Sequence, residues 1–109
     1  MINILCVGDV VGSIGCGFLR ERLPGLKKQK NIGLCIVNGE NSADGNGITS
    51  ASLRHILDSG ADVITTGNHC FRRKESYPLY DSCDYLLRRA NLPDLSPGHG
   101  MYIADLGRV

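Results

Sequence analysis

Three short polar segments carry the residues best suited to chemistry: Gly8-Asp9, Asn38-Gly39-Glu40-Asn41 and Gly67-Asn68-His69. Asp9 offers a hard anionic oxygen. Glu40 offers two oxygens and could bridge two cations. Asn41 and Asn68 offer neutral carbonyl oxygens, which add ligands without adding charge. Such an oxygen-rich set suits hard or intermediate ions such as Mn, Mg or Fe. Two such metals, roughly 3.5–4 Å apart, could clamp a phosphoester and lower the pKa of a bridging water. His69 could then donate a proton to the leaving oxygen or stabilise a phosphoryl oxygen. Each residue also has a plainer explanation. An Asp beside Gly is often a turn former, and Asn-Gly or Gly-Asn pairs are often tight-turn chemistry. The case rests on three clusters recurring in the same structural context.

That context is set by the elements before them. Each cluster follows a run that reads as a buried strand, over residues 2–7, 32–37 and 62–66. The first is nearly continuous in apolar residues, which suits a sheet covered on both faces. Between strands one and two, Gly12-Ser13 opens a helical pattern with Leu19, Leu23 and Leu26 at i, i+4 and i+7. Pro24 is expected to break or kink that helix. The Lys27-Lys28-Gln29-Lys30 tail suits a helix C-terminus and reads as a solvated face. After the loop at residues 39–47, Thr49 is a candidate N-cap for a second helix. Its stripe is Leu53, Ile56 and Leu57, and Gly60 ends it. His55 is expected on that helix's solvent side.

The pattern weakens after His69. Residues 72–79 predict a short helix ended or kinked near Pro78, and residues 85–87 a fourth strand. Residues 91–100 read as loop. Residues 100–105 predict a strand heading into a hairpin at Leu106-Gly107. The β-α-β-α-β order implies an α/β fold, a parallel-sheet core with flanking helices. Right-handed crossovers would place the strands' C-terminal ends, and so all three clusters, on one edge. Ligands of open parallel sheets bind at that edge.

Composition limits the alternatives. The 109 residues allow one domain, and the net charge is +1, from twelve basic and eleven acidic residues. That balance argues against broad electrostatic binding to nucleic acid or anionic membrane. Apolar runs fall far short of a membrane span. The N-terminus has no basic segment before its apolar residues, so it does not read as a signal peptide. The five cysteines include no C-x-x-C pair, and free thiols in a reducing cytoplasm are expected. Cys6 and Cys35 are expected as small buried hydrophobes within strands. Cys70, next to His69, reads as loop filler, with a nucleophilic or metal-binding thiolate as the alternative.

Taken in order, GDVVGSIG, NGENSADGNGIT and GNH resemble the YmdB-like bacterial phosphodiesterases of the calcineurin-like metallophosphoesterase superfamily. The likeness continues through Arg89-Ala90-Asn91-Leu92-Pro93 and Pro97-Gly98-His99-Gly100, and so covers essentially the whole chain. It implies metal-dependent hydrolysis of phosphodiesters, cyclic nucleotides included, with iron or manganese as the metal. It implies Asp9 and Asn41 on the first metal, Glu40 bridging both, Asn68 on the second, and His69 as proton donor. The implied fold is the N-terminal half of a metallophosphoesterase-like α/β sandwich.

The chain departs from the superfamily pattern in places. Val11 stands where the usual D-x-H motif has histidine, and the Asn38–Asn41 segment replaces a G-D-x-x-D/E block. Cys70-Phe71-Arg72 ends in a base where family members carry an acid. The family's chain runs on well beyond this length and supplies three further metal-binding histidines. His55 and His99 do not match them. The resemblance therefore implies that residues 1–109 are the N-terminal part of a single, truncated domain, impaired on its own. A fragment, a disrupted reading frame and an incomplete gene model are all open, as is a homo-oligomer. The expected substrate is a small phosphodiester or nucleotide. The rival function is a catalytically inactive interaction or nucleotide-binding α/β module. A Rossmann fingerprint finds no register, because Gly15-Cys16-Gly17 would need glycine where Arg20 stands.

Overall fold

A computed structural model describes residues 1–107. Its elements are β1 (Asn3–Val7), α1 (Gly12–Gln29), β2 (Ile32–Asn38), α2 (Ser50–Ser59), β3 (Val63–Thr65), a 3-10 turn (Lys74–Ser76), α3 (Tyr77–Ser82) and β4 (Leu86–Leu87). The four strands form one parallel sheet in the order β1-β2-β3-β4. The expected α/β fold, a parallel sheet with flanking helices, is the observed one.

Side-chain alternation splits the sheet into unlike faces. Leu5, Val7, Cys35, Val37, Ile64 and Leu86 pack with Leu19 and Leu23 of α1 and Leu53 and Ile56 of α2 in one core. Their neighbours on the other face fare differently. Ile4 is 56% exposed, Cys6 is exposed, and Leu34 and Ile36 are only half-buried. Cys6 is therefore not the small buried hydrophobe expected, and this face of the sheet is open among the described residues. Continuous apolarity shows that a strand can be covered twice; it does not say where the second cover comes from. Cys35 is fully buried as expected, and burial pushes the thiols of Cys16 and Cys35 up.

Proline behaves unexpectedly twice. α1 is continuous through Pro24, so the expected break is not found there. Pro24 is exposed, while Leu19 and Leu23 before it are buried against α2 and Lys27 after it bonds to Gly60 O, so contacts on both sides hold the helix together. Pro78 sits at the start of α3 instead of ending a helix. At that position the absent N–H would have had no intrahelical partner.

α2 starts and stops where its sequence indicates. Thr49 Oγ1 accepts from Ser52 N at 3.2 Å, while Thr49 N donates to Ser52 Oγ at 3.0 Å. Gly60 closes the helix at φ +121°, a conformation that side chains other than glycine's rarely adopt. Thr49→Ala is expected to cost about 1 kcal/mol, read as a fall of roughly 4–8 °C in thermal midpoint. An unchanged midpoint would show that the cap contributes nothing. Lys27 is more than a solvated charge. Its Nζ donates to Gly60 O at 2.7 Å, tying the end of α1 to the end of α2. Asp62 lies outside β3, and its carboxylate accepts from Cys35 N at 2.8 Å.

The C-terminal segment forms no strand over residues 100–105. It touches the sheet through a single bridge between Leu87 and His99, and Met101 and Ile103 are exposed. Alternating apolar residues become a strand only where a neighbour takes their backbone bonds, and none does so among the described residues.

Candidate active site

The carboxyl ends of β1, β2 and β3 bring the three polar segments together. Val10 N donates to Asn38 O at 3.2 Å, Gly12 N to Asn41 O at 3.0 Å, and Gly39 N to Thr65 O at 3.0 Å. The loop after β2 is thus bonded to the loop after β1 and to β3. Its far side is held by Arg73, whose guanidinium donates to Asn46 O at 2.7 Å and to Ala43 O at 3.1 Å.

Asn41 stands at the centre. Its Nδ2 donates to both oxygens of Asp9, at 3.1 and 3.0 Å, and its Oδ1 meets Nδ1 of His69. The amide's orientation follows from this. A carboxylate can only accept, so the amide nitrogen faces Asp9 and the amide oxygen faces His69. His69 must then carry a proton on Nδ1, and Nε2 is left as its second working nitrogen. Sequence reasoning missed this Asp9–Asn41–His69 chain, because spacing alone does not reveal which amide bridges two loops.

Glu40 is held from two sides. Asn38 Nδ2 donates to its Oε1 at 3.4 Å, and His69 N donates to its Oε2 at 3.0 Å. Asn38 Oδ1 also accepts from Glu40 N at 3.2 Å, fixing the turn that aims the carboxylate. Gly67 makes room for it: a Cβ there would lie 3.0 Å from Oε2 and closer still to Oε1. Gly67→Ala is expected to push the carboxylate aside and break its bond to His69 N. The cost would be about 1–2 kcal/mol, with an upfield shift of the His69 amide proton. An amide resonance that stays put would remove Glu40 from this role.

Asp9 and Asn68 are exposed, whereas Glu40, Asn41 and His69 are partly buried. Asn68 shares the strand end without joining the hydrogen-bonded chain. Cys70 is 3% exposed and packs in the core, as loop filler would. His55 is partly buried, not on the solvent side. It lines a cavity of about 270 Å³ with Ser13, Cys16 and Ser52.

Two carboxylates and two amide oxygens fit a hard cation in kind. They fall short in number: among the described residues no three His, Cys, Asp or Glu side chains gather to hold a metal ion. No helix among the described residues is long and apolar enough to cross a membrane.

Comparison with known proteins places the fold. The chain is 42% identical, over 108 residues, to a 2',3'-cyclic-nucleotide 2'-phosphodiesterase of Bacillus subtilis, covering 98% of this chain and 41% of that protein. A crystal structure of a hypothetical protein from Thermus thermophilus superposes with a TM-score of 0.87 at 33% identity, over 95% of this chain and 40% of that one. One from Mycoplasma pneumoniae, described as a novel phosphatase, gives 0.82 at 29% identity, over 91% and 37%. The chain thus spans about two fifths of the length of these relatives. The model of the YmdB-like protein family matches residues 5–109, and the chain belongs to that family.

Proposed function

We propose that this chain forms the N-terminal part of a metal-dependent phosphodiesterase domain acting on small phosphodiesters, cyclic nucleotides among them. The observation that carries this is the hydrogen-bonded set of Asp9, Asn41, His69 and Glu40 across three strand ends. The activity named for the Bacillus subtilis relative supports it. Asp9 and Asn41 would hold a first metal, Glu40 would bridge to a second, and Asn68 would complete this chain's share. Iron and manganese both suit that donor set. When bound, such ions supply Lewis-acid stabilisation of charge developing on the phosphoryl oxygens.

The chain's own residues supply the rest. Water attacks phosphorus and gives up a proton to solvent, the bond to the leaving oxygen breaks, and that oxygen takes the Nε2 proton of a doubly protonated His69, which keeps its Nδ1–H. The Nδ1–H bond to Asn41 fixes the ring, and Asp9 fixes Asn41. Free cysteines and the absence of a membrane-crossing helix among the described residues support a cytoplasmic setting. With few charged donors, the isolated chain should turn over slowly or not at all.

The test is manganese-dependent hydrolysis of bis(p-nitrophenyl) phosphate. It compares the chain alone with the chain joined to the section of the Bacillus subtilis relative that lies beyond the matched region. Turnover by the joined protein, with little from the chain alone, is expected. A folded joined protein with no turnover would sink the proposal in favour of an inactive α/β binding module. Full-rate turnover by the isolated chain would sink the claim that it is impaired.

A further inference from the structure

The sequence holds two Asn-Gly pairs, Asn38-Gly39 and Asn46-Gly47, flanking the loop that carries Glu40 and Asn41. An asparagine followed by glycine is open to attack on its side chain by the next backbone nitrogen, because glycine has no Cβ to block the approach. The fold treats the two pairs differently. Asn38 is held at both ends of its amide, with Nδ2 donating to Glu40 Oε1 at 3.4 Å and Oδ1 accepting from Glu40 N at 3.2 Å. The nitrogen that would attack it, Gly39 N, donates to Thr65 O at 3.0 Å. Asp44-Gly45, open to the same attack, is closed in the same way, because Gly45 N donates to Asn41 O at 3.0 Å. Asn46 is exposed. Among the described residues its side chain makes no hydrogen bond and Gly47 N donates none.

Arg73 activates the free pair. Its Nε donates to Asn46 O at 2.7 Å. That oxygen belongs to the peptide bond whose nitrogen is Gly47 N. When this nitrogen loses its proton, the negative charge is shared with that oxygen. A guanidinium hydrogen bond there stabilises the charged form and so favours the nucleophile. Arg72 adds positive charge nearby: a Cβ at Gly47 would lie 3.3 Å from Arg72 Cβ and 3.3 Å from Arg73 Cγ. We propose that Asn46 is a site of spontaneous deamidation assisted by Arg73. Gly47 N gives its proton to solvent and bonds to Asn46 Cγ. The Cγ–Nδ2 bond breaks, and the nitrogen takes up a proton and leaves as ammonia. Water then opens the succinimide at either carbonyl, leaving aspartate or isoaspartate. Each product places a carboxylate beside Arg73 and draws its guanidinium from Ala43 O, to which it donates at 3.1 Å. The loop that holds Glu40 and Asn41 then loses its far-side anchor.

The test needs only the 109-residue chain and is independent of any phosphodiesterase activity. The folded chain is aged at mildly alkaline pH. Its peptides are followed by mass spectrometry for replacement of the side-chain amide by a carboxyl, with fragmentation separating aspartate from isoaspartate. Asn46 should react at least roughly ten-fold faster than Asn38, the rate equivalent of one hydrogen bond that the Asn38 pair must break first. In denaturing urea, where neither pair is held, the two should react at similar rates. Arg73→Gln should slow the reaction at Asn46 roughly ten-fold, through loss of a bond to a charged donor. Arg73→Lys keeps the charge without the planar fork. It should give an intermediate rate, and it serves as the comparison where the glutamine variant does not fold. In Asn46→Asp, the Ala43 amide, bonded to Gly47 O at 2.9 Å, should exchange its hydrogen roughly ten-fold faster than in the parent chain. No carboxyl formed at Asn46, or equal rates at Asn38 and Asn46 in the folded chain, would overturn the site. A rate unchanged or raised in the Arg73 variants would overturn the assistance by Arg73. Unchanged exchange at Ala43 would overturn the loosening of the loop.

Discussion

Glu40→Ala, in the chain joined to its relative's remaining section, is expected to lower manganese-dependent phosphodiester hydrolysis by more than about 100-fold. Substituting a group that merely supports a metal ligand typically costs 10–100-fold, and a bridging carboxylate should exceed that. Its position argues the same way. Glu40 links the ends of β2 and β3 and accepts from Asn38 Nδ2 and His69 N. Removing it deletes one of the two carboxylates at the site and leaves those donors without their acceptor. His69→Gln should behave differently, lowering kcat by about 10²–10⁴-fold while manganese affinity holds. Calorimetric titration with manganese beside kinetics separates the two. Equal loss of metal affinity in both variants would mean that His69 is a ligand and not the proton donor. Turnover unaffected by Glu40→Ala would mean that the three strand ends serve folding alone.

Much of this arrangement can be read from residue types, and the exceptions share a cause. Strands two and three and helix two are specified locally, by short apolar runs, a Thr49 cap and a Gly60 stop, and they appear within a residue or two of their expected bounds. The convergence of Asp9, Glu40 and His69 follows from parallel topology, because each ends a strand pointing the same way. What the sequence does not reveal depends on partners distant along the chain. The strand expected over residues 100–105 lacks a neighbour among the described residues. Cys6 is exposed because its face of the sheet is open among the described residues. Pro24 survives inside α1 because buried Leu19 and Leu23 anchor the helix before it and Lys27 ties it to the end of α2 after it. Asn41 was legible as a polar group at the right place. Its role as the bridge between Asp9 and His69 was not, since that depends on which way an amide turns once two loops have met.

The largest stability effect is expected at Tyr80, where two substitutions should act in opposite directions. Tyr80 is fully buried, and its ring packs edge-on against Phe71 with centroids 5.1 Å apart. Tyr80→Ala removes that ring from the core and should cost about 3–5 kcal/mol. For a domain of this size that is a fall of well over 10 °C in thermal midpoint. The hydroxyl is another matter. Among the described residues it makes no hydrogen bond of normal geometry; the Thr66 hydroxyl lies close enough to hold the phenol's pKa down somewhat, but it donates to Leu87 O. An unsatisfied buried hydroxyl is a cost of about 1–3 kcal/mol, so Tyr80→Phe should be neutral or stabilising. The alkaline limb supplies an independent check. Burial pushes the phenol's pKa up, so the folded state keeps its proton above about pH 10, where the unfolded chain loses it. The unfolded state then binds fewer protons, and stability falls as pH rises through that range. Tyr80→Phe should remove this part of the fall, seen as a shallower loss of urea midpoint between about pH 9 and 11. Destabilisation by Tyr80→Phe at neutral pH would show that the hydroxyl has a partner after all, most simply Thr66. The end of β3 would then be pinned to α3 by a polar contact as well as by packing.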